Sequence, residues 1–142
     1  MKNSAIITLN GTITEVDGEL ETFEFVTEGV IYEKDNKIYI SYEENESAGW
    51  ENVKTLIKLL PDKIILSRTH GINMEMVFIE GTHTTSYYET PLGGLTIGVD
   101  TSVSKYQICD DGRQIDIHIK YNSDFNGKTA TQHEMRYRVR RN

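Results

Sequence analysis

One arginine, Arg68, follows an alternating apolar face, and its guanidinium is the most distinctive chemical group of the sequence. Ile64 and Leu66 occupy the positions that share one strand face with Arg68. If that face is interior, a buried guanidinium is costly unless a carboxylate or the anionic group of a ligand pairs with it. The sequence therefore predicts either an internal ion pair or an anchor for an acidic ligand.

Two glutamates end apolar faces in the same way. Glu44 continues the face that contains Tyr42, and Glu80 continues the face that ends at Phe78. A structural Arg–Glu pair at one end of the fold and a ligand site that includes Arg68, Tyr42 and Glu44 both fit this pattern.

A third candidate region is rich in hydroxyl groups and ends in a tight turn. It spans residues 84–94 and contains Tyr88 and Thr90, with Pro91 and paired glycines suited to the turn. Hydroxyls and tyrosines on a concave wall are common in ligand pockets, and they are equally common in ordinary strands. Tyr88 and Thr90 are therefore candidate pocket residues, with a purely structural role as the alternative.

Other chemistry has little support. The sequence lacks a nucleophile elbow, a phosphate-binding loop and a dinucleotide fingerprint, so no cofactor is predicted. Cys109 is followed by two aspartates, which should raise its pKa and make it a structural residue. The four histidines lack metal-ligand spacing, and no metal site is predicted from them; they are His70, His83, His118 and His133.

These residues must be positioned by β-strands, because most of the chain alternates with period two. The clearest example is Ile115 to Tyr121, where apolar residues alternate with polar ones. Turn signals separate the segments by mostly two to four residues, which allows only antiparallel neighbours.

Open edges invite aggregation, so such a chain should close on itself. The prediction is one domain, residues 1–142, folded as an all-β, antiparallel up-and-down barrel of about eight to ten strands. The strands are expected at residues 4–16, 21–34, 37–45, 53–60, 63–69, 74–80, 83–90, 95–109, 113–122 and 129–140.

The alternation also predicts registers and bends. A two-residue turn at Asp111 pairs Ile108 with Ile115, and a three-residue turn at residues 126–128 pairs Ile119 with Met135. The apolar phase changes within residues 100–105, which predicts a β-bulge there. A similar change near Gly29 predicts a kink in the second strand.

The charge is unevenly distributed. Residues 1–52 hold 12 acidic and 3 basic residues, a net charge of −9, whereas residues 53–142 hold 10 acidic and 12 basic residues, a net charge of +2. An acidic surface of this kind disfavours nucleic-acid binding. Arg136, Arg138 and Arg140 alternate along the last strand, and we expect them to pair with acids on a neighbouring strand or to protect an edge.

Membrane insertion and secretion are not predicted. No stretch approaches the ~20 apolar residues that span a bilayer, and the N-terminus is read as a strand rather than a signal peptide. A single cysteine, Cys109, excludes an internal disulfide and is typical of a protein of the cytoplasm.

Several short motifs in order give the chain a resemblance to the YwiB-like family of uncharacterised bacterial β-barrel proteins. They are residues 39–44, 66–71, 76–78 and 88–93, followed by Thr101. The resemblance implies a lipocalin-like (calycin) barrel in a cytoplasmic protein, mainly of Gram-positive bacteria, and it implies no activity. Thr69 and His70 stand where the family pattern leads us to expect Ser-Gly, which implies a longer hairpin after Arg68.

Three function classes follow. The first is non-enzymatic binding of a small, partly apolar molecule, with or without an anionic group, inside the barrel by a monomer or homodimer. The second is a protein-interaction or regulatory module that uses the acidic N-terminal half and Trp50, which is placed on a loop at residues 45–52. The third, isomerase or hydrolase chemistry in the barrel mouth, has no motif in its favour.

Overall fold

A computed structural model describes residues 2–44, 53–69, 73–90, 93–125 and 128–142, with the backbone alone for Lys2, Glu44, Thr90, Phe125 and residues 128–130. Ten strands account for most of these residues, and all ten predicted strands are confirmed. Their bounds are β1 (Lys2–Glu15), β2 (Leu20–Lys34), β3 (Lys37–Glu44), β4 (Val53–Leu59), β5 (Ile64–Thr69), β6 (Asn73–Phe78), β7 (Thr82–Thr90), β8 (Gly93–Cys109), β9 (Gln114–Phe125) and β10 (Lys128–Arg141). Trp50 and His70 lie outside the described residues.

The strands form one closed antiparallel barrel. Each strand pairs with its neighbours in sequence, and β10 pairs with β1 to complete the cylinder. This confirms the predicted up-and-down architecture at the upper limit of the expected strand number. Across the described part of the chain, no helix is long and apolar enough to cross a membrane.

The barrel interior has an apolar end and a polar end. Even-numbered strands finish at the apolar end, where the inner face is filled by buried aliphatic and aromatic side chains. Odd-numbered strands finish at the polar end, and there the inner face includes Thr55 and Arg68. The apolar end is packed by residues that include Ile7, Ile31, Ile40, Ile57, Leu59, Ile64, Leu66, Phe78, Ile115, Ile117 and Val139.

The predicted bulge in β8 is present. The register between β8 and β9 shifts between Thr101 and Val103. Ile97, Val99 and Thr101 are buried before the shift, and Tyr106 packs against the core after it. One extra residue therefore moves the inward positions from odd to even numbers.

The predicted kink at Gly29 is wrong. The registers of β2 with β1 and with β3 run through this residue without a shift, and Phe25 and Ile31 share one inner face. The apparent change of phase comes from an apolar outer face, where Tyr32 stacks on Tyr39 with ring centroids 4.8 Å apart. Gly29 has a packing role instead, because an added Cβ would lie 2.4 Å from Ile7 Cδ1.

The predicted hairpin registers are confirmed, although both connections differ from the prediction. Ile108 pairs with Ile115, but β8 ends at Cys109 and β9 begins at Gln114, so the loop is longer than two residues. Its Asp110 and Asp111 have positive φ angles of 53° and 54°. At the β9–β10 hairpin, Lys128 pairs with Phe125, and a register shift between Thr129 and Thr131 supplies the remaining offset that pairs Ile119 with Met135.

The arginines of β10 pair with acids on the outer surface, as expected. Arg138 lies 3.1 Å from Asp116 on β9, and Arg140 lies 3.2 Å from Asp110. Arg136 pairs with Glu134 of its own strand at 3.3 Å. No edge needs protection here, because β10 is paired on both sides.

Candidate functional site

A row of paired residues crosses five consecutive strands near the polar end. Tyr42 pairs with Thr55, Thr55 with Arg68, Arg68 with Met74, and Met74 with Tyr88. Directly paired residues project from the same face of a sheet, so all five lie at one level of the inner face. The structure thus brings Tyr42, Arg68 and Tyr88, predicted separately from the sequence, into one row.

The opposite wall carries a second row, formed by Thr101, Tyr121 and His133. These residues are paired across β8, β9 and β10, and the rings of Tyr121 and His133 stack with centroids 4.6 Å apart. The charge of Arg68 acts on both Tyr121 and His133, since it lowers the pKa of each. Arg68 on β5 therefore faces these two rings across the interior.

The two rings keep their neutral forms over a wide pH range. Burial, followed by the charge of Arg68, lowers the pKa of His133 to about 4. Burial raises the pKa of Tyr121 to about 12, against a smaller opposing effect of Arg68. At neutral pH the imidazole of His133 is uncharged and the Tyr121 phenol is protonated.

Two hydroxyls connect to the imidazole of His133. Thr131 Oγ1 lies 2.6 Å from His133 Nε2, and Ser123 Oγ lies 2.8 Å from Thr131 Oγ1. Either nitrogen of a neutral imidazole can carry the hydrogen, so the tautomer of His133 sets the direction of its hydrogen bond with Thr131, and Ser123 and Thr131 can each donate to the other. This group was missed by sequence reasoning. The available signal was that Ser123, Thr131 and His133 continue the inward positions of Tyr121 and Met135.

Tyr42 separates the polar end from the apolar end. Its hydroxyl lies 3.0 Å from the hydroxyl of Tyr137 on β10, and this contact is buried. Tyr42 is 3% exposed, and its ring also packs against Phe25. The buried contact of Tyr42 with Tyr137 thus fills the interior between β3 and β10 at the Tyr42 end of the row, rather than leaving an open wall there.

The other predicted residues have different surroundings. Glu44 and Thr90 are the last residues of β3 and β7 at the polar end, paired with Val53 and Gly93, and their side chains lie outside the described residues. Glu80 lies away from this site, where its carboxylate accepts a hydrogen bond from the Ser104 N–H.

The hydroxyls of β7 have a structural role. Only Asn73 and Met74 of β6 have Cα partners on β7, so the ladder between these strands is short. Thr84 Oγ1 donates to the Val77 carbonyl at 2.8 Å, and Ser86 Oγ donates to the Glu75 carbonyl. Side-chain hydroxyls therefore replace backbone donors along this seam. Of residues 84–89, Tyr88 belongs to the row that contains Arg68.

The remaining titratable groups lie away from the interior site. Burial and a hydrogen bond to Asp116 raise the pKa of Cys109, so the rise is confirmed but Asp116 contributes to it instead of the adjacent aspartates. His118 lies on the outer surface, 2.7 Å from Glu134.

The fold and this interior site define a closed ten-stranded β-barrel whose two ends differ in polarity. Residues 7–136 match the family described as Domain of unknown function (DUF1934), and the chain belongs to this family. The chain is 32% identical over 118 residues to the uncharacterized beta-barrel protein YwiB of Bacillus subtilis, and the alignment covers 82% of each chain. The crystal structure of the ywiB protein from Bacillus subtilis superposes with a TM-score of 0.84 at 25% identity, covering 99% of this chain and 93% of that chain.

Proposed function

We propose that this protein binds a small, partly apolar molecule with an anionic group, without catalysing a reaction, at the polar end of its barrel. The observation that carries the proposal is the position of Arg68 on the inner face, opposite Tyr121 and His133. A guanidinium in this position suits a carboxylate or a similar anion, to which it can donate two parallel hydrogen bonds.

The electrostatics of the site support an anionic ligand. The pKa of His133 is about 4, so its imidazole is neutral at pH 7. Among the described residues of this interior region, Arg68 therefore carries the positive charge. The low pKa of His133 also means that a bound anion meets a neutral imidazole, which can donate one hydrogen bond and accept another.

Polar and apolar groups are both available on the walls of the polar end. Thr101 Oγ1 is buried and makes no hydrogen bond with any described residue, which is unusual for a buried hydroxyl. Met74 and Tyr88 are partly buried in the row of Arg68 and offer apolar contact. This combination suits a molecule with one charged end and a small hydrocarbon or aromatic part.

The packed apolar end limits the size of the ligand. The buried Tyr42–Tyr137 contact fills the interior between β3 and β10, and the apolar end beyond it is packed, so the ligand occupies the polar end and not the whole cylinder. In this proposal the partner is a small molecule, the protein acts as a monomer or homodimer, and the single free thiol of Cys109 suits a bacterial cytoplasm.

Ligand capture tests the proposal directly. Protein purified from its own host without denaturation should show an additional mass in native mass spectrometry. The anionic fluorophore 1-anilinonaphthalene-8-sulfonate should bind the emptied protein, and Arg68→Leu should weaken this binding about ten- to hundredfold, because a charge-assisted hydrogen bond is lost. Arg136→Leu, on the outer surface, is the matched control and should leave it unchanged. A uniformly ligand-free mass together with equal fluorophore binding by all three proteins would contradict the proposal.

A further inference from the structure

Three metal-ligating side chains meet on the outer surface of β7, β8 and β9, away from the interior site. They are His83, Asp100 and Asp124, and one potential ligand atom from each lies within 4.8 Å of the other two. His83 and Asp100 are directly paired between β7 and β8, and His83 Nδ1 lies 2.7 Å from Asp100 Oδ1.

Asp124 reaches this pair because of a glycine. Gly98 pairs with Asp124 across β8 and β9, and a Cβ built on Gly98 would lie 2.4 and 2.5 Å from the two carboxylate oxygens of Asp124. Any other residue at position 98 would occupy the space that the carboxylate fills. The absent side chain thus lets Asp124 lie along the sheet beside His83 and Asp100.

The charges in this group are not balanced by the surrounding protein. The carboxylate of Asp124 makes no hydrogen bond or ion pair with any described residue, and among these residues the only such partner of the Asp100 carboxylate is His83. Two carboxylates held this close repel each other in the absence of a cation. A surface aspartate could avoid this repulsion by rotating into solvent, whereas here it is seated over Gly98.

We propose that His83, Asp100 and Asp124 form a surface site for a divalent transition-metal ion such as zinc. An imidazole nitrogen and two carboxylate oxygens are a ligand set that zinc uses, at distances of about 2.0–2.2 Å. The ion replaces the hydrogen bond between His83 and Asp100, and small rotations of these exposed side chains bring the three ligand atoms to it. Three protein ligands leave at least one position for water, so the ion remains accessible from solvent.

Calorimetric titration of the tag-free protein with zinc chloride tests this site, and native mass spectrometry counts the bound ions. We expect one saturable zinc ion per chain and no comparable binding of Mg²⁺, which prefers oxygen ligands and retains its water. His83→Gln and Asp124→Asn should each weaken zinc binding at least about tenfold, since each removes one ligand. Gly98→Ala should weaken zinc binding with all three ligands present, because its Cβ displaces the Asp124 carboxylate.

Two control variants separate this site from other zinc ligands of the chain. His118→Gln removes an outer histidine that also has a carboxylate 2.7 Å away but belongs to no three-residue ligand group among the described residues, and this variant should bind zinc like the wild type. Cys109→Ser removes the free thiol and should also bind normally. Thermal melts establish that each variant is folded. The proposal is wrong if wild-type protein shows no saturable zinc binding, or if zinc binds equally well to the wild type, His83→Gln and Asp124→Asn.

Discussion

The hydroxyl groups of Tyr42 and Tyr137 lie 3.0 Å apart and join β3 to β10 through the interior of the barrel. The two residues are 95 positions apart in sequence, and their rings are tilted by 52° with centroids 6.3 Å apart. This contact marks the boundary between the packed apolar end and the polar end that carries Arg68.

Removing either hydroxyl should destabilise the barrel by a modest amount. We expect Tyr42→Phe and Tyr137→Phe each to lower the free energy of unfolding by about 1–2 kcal/mol, because each leaves a buried hydroxyl with one partner fewer. The double variant should lose less than the sum of the two single losses, since the second substitution removes the group that the first one left unsatisfied. Urea unfolding of the four proteins measures this coupling. Strict additivity would show that the contact makes no contribution to stability.

Arg68→Leu should change the stability of the ligand-free protein little. The substitution removes the desolvation cost of an interior guanidinium, which offsets the loss of the contacts that Arg68 makes, so we expect a change within about 1 kcal/mol or a small stabilisation. A loss of about 3–5 kcal/mol in urea unfolding would instead show that Arg68 neutralises a buried carboxylate. Glu44→Gln in the Arg68→Leu background would then restore stability, because both charges of the pair would be absent.

Much of the architecture could be predicted because strand alternation reports directly on the two faces of a sheet. The change from Val99 and Thr101 to Tyr106 indicated the β8 bulge, because only an extra residue can shift the inward positions. The same reasoning was wrong at Gly29. There, stacking of Tyr32 on Tyr39 places aromatic rings on the outer face, and outer apolar residues imitate a change of phase.

The candidate site was predictable only on the wall that contains Arg68. A charged residue at the end of an apolar alternation is visible in the sequence. The facing wall is not visible, because the electrostatic effect of Arg68 on His133 depends on how β5 and β10 approach each other across a closed barrel. The predicted register that pairs Ile119 with Met135 also pairs Tyr121 with His133, but a register between neighbouring strands gives no distance across the interior. The outer group of His83, Asp100 and Asp124 likewise depends on two registers and on the space above Gly98.

Acidification should destabilise the protein through His133. The pKa of this group is about 4 in the folded state and about 6.5 when unfolded, so the unfolded chain binds more protons between these values. Stability from this group is present above pH 6.5 and is lost as the pH falls towards 4, with a loss of about 2 kcal/mol between pH 7 and pH 5. Urea unfolding at both pH values measures this loss of stability.

His133→Gln should reduce this pH dependence, whereas His83→Gln, at an exposed outer position, should retain it. A His133 imidazole resonance that titrates near pH 6.5 in NMR spectra would contradict the prediction.

The seam between β6 and β7 should depend on the hydroxyl of Ser86. Ser86→Ala removes the donor to the Glu75 carbonyl, and we expect a loss of about 1–2 kcal/mol in the free energy of unfolding, because a part-buried hydrogen bond is lost and the carbonyl keeps no side-chain donor from β7. Hydrogen exchange of amides in β6 should become faster, since backbone pairing with β7 is confined to Asn73 and Met74. Thr85→Ala is the matched control, because its side chain lies on the exposed outer face of the same strand, and it should alter neither quantity. Equal exchange rates in wild type and Ser86→Ala would show that β6 is held by its packing into the core, through Met76 and Phe78, and not by the hydroxyl contacts from β7.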